Sequence, residues 1–297
     1  MSTEEMMSVV EHSFYDAVLA DIVYINIDGE VTGKPGFTKG LTGADLADLI
    51  APELTKPLAD QIGKRFIVLD VKNDPDSGYQ GVLFKDTISG DVILANRGTA
   101  GWTDIDEDVD LALLSGVARN EIITMVNWWN DISRPQGTAY TALTNNLGVF
   151  SSAGTQIASG ADVDVIATAI AQNKFRVVGH SLGGHLTTVF ASLFHDQVSA
   201  SSTFNGAGID SIGVYATGAL NQLMKDFLVG KPLDQLADIL GVSAVLPQNS
   251  QNNYYAENGF SLTTSDWIFS QIGHRIGLEN EQSNVAFCNG SPRPVDR

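Results

Sequence analysis

Cysteine is almost absent from this 297-residue chain: Cys288 stands alone, so no disulfide can form within it, and no CxxC pair or Cys/His cluster offers a zinc site. Basic residues are scarce as well. Seventeen lysines and arginines face 35 aspartates and glutamates, a formal charge of −18, so nucleic acid would be repelled and anionic lipid would find no basic patch. Any contact with lipid is therefore expected to be hydrophobic. No apolar run reaches the ~18 residues that a bilayer-spanning helix needs, and Met1-Ser2-Thr3-Glu4-Glu5 lacks the basic start and apolar stretch of a cleavable signal peptide. Two locations fit: export without a leader, which an acidic, cysteine-poor chain tolerates, giving an extracellular protein, or the cytoplasm.

What the chain does contain is 43% hydrophobic residues, 18% charged residues and 29 glycines. That composition suits a single domain over 1–297 with a sizeable core. Its most informative segment is Gly179-His180-Ser181-Leu182-Gly183. Phe175 to Val178 before it reads as a buried strand and His185 to Phe194 after it as a helix. A G-x-S-x-G nucleophile elbow needs this context, because the flanking glycines allow a sharp turn that leaves the serine oxygen raised at its tip.

The rest of the pattern predicts a helix over His12 to Ile25, a glycine-rich loop over 29–43, and a helical region over Leu46 to Leu58 broken by Pro52 and Pro57. Strands follow at Phe66 to Val71, Tyr79 to Phe84 and Val92 to Asn96. Helices are expected at Asn120 to Asn130, Ala139 to Ser151 and Asp162 to Gln172. Beyond the elbow come a strand over Ser199 to Asn205, helices near Ala216 to Val229 and Leu233 to Leu240, a strand at Tyr254-Tyr255, a helix over Ser265 to Ile272 and a last strand near Arg275 to Leu278. Hairpins leading into alternating helices and strands indicate an α/β fold. Its central sheet should be mainly parallel, with antiparallel edge hairpins and helices on both faces. Residues 1–60 would form a helical cover, and 209–250 a helical insertion serving as a lid or cap.

A serine hydroxyl is a weak nucleophile at its free pKa, so Ser181 needs a base and an acid to orient that base. The α/β-hydrolase chain order of Ser, then Asp or Glu, then His limits the choice. Of five histidines, His12 precedes the serine, His180 sits inside the elbow, His185 lies one turn along the following helix and His195 at its C-terminal end. His274 is left as the base by elimination. For the acid, Asp226, Asp234, Asp238 and Asp266 read as helix-face or helix-start residues. Glu257 and Asp210 each follow a strand; Glu257 is the first choice and Asp210 the second. An oxyanion hole would draw on the Leu182 N–H and on Thr99, at the end of Asn96-Arg97-Gly98-Thr99. No metal or other cofactor is expected.

Arg97-Gly98-Thr99 followed by Trp102-Thr103-Asp104-Ile105 resembles the R-G-[ST]…D-[WI] segment of class 3 lipases, and Val178 to Gly184 resembles their nucleophile elbow. Thr203-Phe204-Asn205-Gly206-Ala207-Gly208 is similar to the strand and turn that follow the elbow helix in that group. These segments look most like the catalytic domains of bacterial secreted lipases and phospholipases A1 that carry calcium-binding (RTX) repeats, although no Gly-Gly-x-Gly-x-Asp array occurs here. The resemblance covers roughly Val92 to Gly208. It implies an α/β-hydrolase fold, nucleophile Ser181, oxyanion donors Thr99 and Leu182, and a lipid ester met at a lipid–water interface. The chain departs from the family at Gly259, where an aspartate commonly stands, and in lacking the His-Ser motif usual after a strand such as Ile276 to Glu279. Two alternatives remain open: a soluble short-chain esterase, and a hydrolase-like domain without a working base that binds lipid or a partner. For a lipase lid, Leu111 to Val117 and Ile122 to Trp129 are the candidates, with core aromatics the competing reading of Trp128-Trp129.

Overall fold

The computed structural model describes residues 3–25, 36–98, 117–206, 231–256 and 272–278. Three helices come first: α1 (Thr3–Ile22), α2 (Gly43–Ile50) and α3 (Lys56–Arg65). The expected break falls at Pro52, between the latter two; Pro57 does not break the chain but sits in the first turn of α3, where its missing N–H costs nothing. The antiparallel run β1 (Phe66–Asn73), β2 (Gln80–Asp86) and β3 (Val92–Asn96) follows. Next are α4 (Val117–Ser133), the hairpin β4 (Ala139–Asn146) and β5 (Val149–Ile157), and α5 (Val163–Ala171). The elbow strand β6 (Phe175–His180), its helix α6 (Leu182–Leu193), β7 (Ala200–Phe204), α7 (Lys231–Leu240), β8 (Gln251–Ala256) and β9 (His274–Leu278) complete the described chain.

Seven strands form one sheet in the order β1-β2-β3-β6-β7-β8-β9, parallel from β3 onward. Each parallel strand is added on the same side of its predecessor. Right-handed crossovers then deliver the connecting elements to one face, and α4 to α7 share that face's core with Leu83, Leu94, Phe175 and Val177. The other face would lie bare without the N-terminal helices. Leu19, Ile22, Leu46, Ile50 and Ile62 cover it, meeting Phe84, Ile93, Ala95 and Val178. Alternate residues of β3 and β6 thus enter opposite cores, which is why Val92 to Ala95 is a continuous apolar run and why β6 is buried on both faces, its one charged residue, Arg176, included. This is an α/β-hydrolase-like fold, mainly parallel with an antiparallel edge and helices on both faces.

α1 is fastened to its face by charge. Arg176, buried on β6, pairs with Asp16 at 2.8 Å and lies 3.4 Å from Asp91, while Ser202 donates to Asp16 at 2.9 Å. Burial pushes the Asp16 carboxyl above its usual range despite the guanidinium.

Two expectations are corrected. Ala139 to Ser151 is no helix but the β4–β5 hairpin, closed by Leu147 and Gly148 at φ 51° and 84°. A two-residue turn with both φ positive matches the twist of paired strands, and Asn127 on α4 holds the hairpin by exchanging hydrogen bonds with the Leu143 backbone. Ile122 to Trp129 is a core helix and no lid. Trp129 is fully buried, stacked on Phe175 with ring centroids 4.7 Å apart and edge-on to Phe190 at 5.1 Å, and its indole N–H donates to Gln197. The helix expected at 216–229 lies outside the described residues, as do all but the last residue of the other lid candidate, Leu111 to Val117, and of the helix expected over Ser265 to Ile272.

Candidate active site

Ser181 stands between the end of β6 and the start of α6 with φ 55° and ψ −125°. A non-glycine residue in this sparsely populated region stores of order 1–3 kcal/mol of strain, held only where the surroundings over-determine it. Here they do. The Ser181 N–H donates to the Phe204 carbonyl on β7 at 3.0 Å, and its own carbonyl accepts the Gly184 N–H at 2.9 Å.

The turn is possible only because its neighbours lack side chains. A Cβ on Gly179 would sit 2.1 Å from the Gly183 oxygen, and one on Gly183 would sit 2.2 Å from the Asn96 oxygen. β3, β6 and α6 therefore meet with no space between their backbones. The Asn96 amide fixes this junction, donating to Thr187 Oγ1 on α6 at 3.2 Å and accepting from Tyr79 at 2.9 Å.

Ser181 occupies the N-cap of α6, yet its hydroxyl makes no capping hydrogen bond. It retains 8% of its surface exposed. Leu182, the first helical residue, carries one of the N–H groups that a helix leaves without an internal partner. Together with the helix dipole, this end favours a developing negative charge.

The remaining expected residues divide into two groups. Thr99, Glu257 and the second-choice acid Asp210 lie outside the described residues, although β3 leads to the first, β8 to the second and β7 toward the third. His274 is described, and it is not brought to the serine. It opens β9 instead of preceding it, pairing with Asn252, which pairs with Ser202, which pairs with Val178. That register sets His274 three strands across the sheet and three residues short of the elbow's level, roughly 14 Å sideways and about 10 Å along the strands, or about 17 Å in all. The elimination that chose it assumed a loop position; the strand begins one residue earlier and holds the imidazole, exposed, on the edge strand of the sheet.

Among the other histidines, His12 lies on α1 beside Asp91, and His195 is paired with Asp196 after α6. His185 is half-buried one turn along α6. His180 turns toward α1, edge-on to Tyr24 at 5.7 Å, where burial pulls its pKa below the usual value against the pull of Asp21. It borders an apolar cavity of about 340 Å³ lined by Phe14, Val18, Leu54 and Phe204.

Two polar groups near the β3 end gave no sequence signal. Glu121 on α4 is buried with no hydrogen-bond partner for Oε2 among the described residues, and burial pushes its pKa up to about 8 against the pull of Arg97. Tyr24, just past α1, donates to the His180 carbonyl at 2.9 Å and accepts the Gly98 N–H at 2.9 Å. Nothing local in the sequence marks either. Among the described residues no cluster of three or more metal-ligating side chains occurs, and no helix is long and apolar enough to cross a membrane.

The chain resembles solved lipases. It is similar to the Lip2 lipase from Yarrowia lipolytica at 13% identity, over 94% of this chain and 80% of that one, with a TM-score of 0.43. Lipase II from Rhizopus niveus matches at 10% identity, over 92% and 82%, with a TM-score of 0.49. A triacylglycerol lipase from Penicillium expansum matches at 16% identity, over 89% and 80%, with a TM-score of 0.32. No protein-family model matches the chain, and no curated protein matches it by sequence.

Proposed function

We propose that the protein is a serine carboxylic ester hydrolase acting on lipid esters, triacylglycerol or phospholipid. The observation that carries this reading is the conformation of Ser181: a strained residue at the C-terminal end of a central parallel strand, its hydroxyl unused by the helix it caps. Such strain is kept where a group must be presented. Ser181 Oγ attacks the ester carbonyl as an imidazole takes its proton, and the Leu182 N–H and Thr99 hold the oxyanion. The alcohol leaves with that proton, and water then releases the fatty acid from the acyl-enzyme. The lipid class rests on the likeness of the Arg97-Gly98-Thr99 and elbow segments to class 3 lipases, within which the bacterial secreted lipases and phospholipases A1 are the nearest in pattern. Glu257 is the proposed acid.

The position of His274 favours a second reading, a hydrolase-like domain that binds lipid without turning it over. Hydrolysis of p-nitrophenyl esters by the wild type and by Ser181→Ala separates the two. The first reading expects wild-type turnover and a loss of at least about 10³-fold in the variant. His180→Ala, His185→Ala and His274→Ala in the same assay identify the proton acceptor. A wild type without turnover on short or long esters leaves the second reading standing.

A further inference from the structure

The geometry points to Tyr24 as the positioning residue of this site: its hydroxyl ties Gly98, the residue before the proposed oxyanion donor, to the peptide that carries the nucleophile. The inference rests on the serine-hydrolase reading and adds to it a residue that neither the elbow motif nor the oxyanion segment contains.

The tie is a single atom. Tyr24 Oη accepts the Gly98 N–H at 2.9 Å and donates to the His180 carbonyl at 2.9 Å, joining two residues that lie 74 and 156 positions beyond it in the chain. A phenol can serve both only while it keeps its proton. Burial raises the Tyr24 pKa well above its ordinary value, so it does.

Each end of the tie lands on a peptide whose orientation decides the chemistry. The His180–Ser181 peptide is gripped on both edges, its carbonyl by Tyr24 and its N–H by the Phe204 carbonyl at 3.0 Å. That peptide sets the strained φ of 55° at Ser181, and so where the hydroxyl points. Gly98 immediately precedes Thr99. Once the Gly98 N–H is committed to Tyr24, the Arg97–Gly98 peptide that leads toward Thr99 cannot rotate. Oxyanion donors act only when held within about 0.5 Å of the productive position.

The surroundings are cut to admit this one hydroxyl. A Cβ on Gly98 would sit 2.5 Å from Tyr24 Oη, 3.1 Å from the Gly183 nitrogen and 3.2 Å from the His180 oxygen. The tyrosine therefore stands where oxyanion turn, elbow and helix start converge. The His180 ring packs T-shaped against Tyr24 with centroids 5.7 Å apart, and the Arg97 guanidinium lies 5.9 Å from the centre of the tyrosine ring.

Tyr24→Phe in the full chain tests the role, with p-nitrophenyl ester hydrolysis and the rate of Ser181 modification by a fluorophosphonate read alongside thermal unfolding. The expected result is a fall of about 10- to 100-fold in kcat and in modification rate, with KM little changed, in protein that is still folded at the assay temperature. Unchanged kcat in the folded variant overturns the inference, since a merely structural tyrosine would lower the melting temperature and leave turnover per folded molecule intact. Should Tyr24→Phe not fold, Gly98→Ala leaves the tyrosine in place and displaces its hydroxyl: a comparable kcat loss supports the role, and full activity overturns it. A wild type that the probe never modifies defeats the hydrolase reading itself, and this inference with it; loss confined to the variants shows that reading intact.

Discussion

Gly183 has no side chain where the carbonyl oxygen of Asn96 passes, and a Cβ there would stand 2.2 Å from that oxygen. The end of β3 and the start of α6 are in backbone contact, so the turn that leads to Thr99 and the helix that begins at Leu182 cannot be set apart without disturbing both.

Gly183→Ala is accordingly expected to cost about 3 kcal/mol or more and to abolish esterase activity in whatever fraction folds. Gly137→Ala is the control. Open space surrounds that position, and only its φ of 84° opposes a side chain, for a cost of about 1–2 kcal/mol. Denaturant midpoints of the two variants check the difference, and equal losses would show that the contact at Gly183 is soft.

Arg176 is buried between Asp16 and Asp91, so removing it strands the Asp16 carboxylate away from water and leaves Asp91 to His12, 3.5 Å away. Arg176→Met should destabilise the protein by about 3–5 kcal/mol, whereas Asp16→Leu combined with Arg176→Met should recover a large part of that loss. Urea unfolding at pH 7 measures both, and a double variant no better than the single would deny that the cost lies in the unpaired charge.

Glu121 gives the stability a defined pH dependence. Its carboxyl titrates near 4.5 when exposed and at about 8 in the fold, so the fold holds the proton more tightly than the unfolded chain does. Its contribution is fully present below pH 4.5 and is lost as pH rises toward 8, at a limiting slope of about 1.4 kcal/mol per pH unit. Glu121→Gln, neutral throughout, should flatten this part of the profile and gain on the wild type as pH increases. Parallel profiles between pH 5 and 8 would contradict the assignment.

Trp129→Ala should cost about 3–5 kcal/mol, as the loss of a fully buried aromatic among Phe175, Phe190 and Phe194 does. A lid tryptophan would instead leave thermal unfolding unchanged and alter rates on emulsified substrate.

The parts of this structure legible in the sequence are those where local pattern and tertiary environment agree. β3 and β6 lie between two cores, so Val92 to Ala95 and the apolar residues around Arg176 announce buried strands, and Gly179 to Gly183 carries its turn in its own composition. The β4–β5 hairpin was hidden because Ala139, Ala142 and Leu143 fall at helical spacing, while the decisive Leu147-Gly148 turn is two residues of modest signal. Register is the other thing a sequence does not display. His274 was placed by chain order and elimination, and only the pairing with Asn252 shows that it lies on the edge strand, away from the elbow. Tyr24 meets His180 across 156 residues, a distance over which no periodicity speaks.

The central claim is that the hydroxyl of Ser181 is a presented nucleophile, and covalent trapping tests it most directly. Incubation of the intact protein with a fluorophosphonate, followed by whole-protein mass and peptide mapping, should show a single adduct located on Ser181 and none in Ser181→Ala. An unmodified wild type, or an adduct on any other residue, would contradict the account.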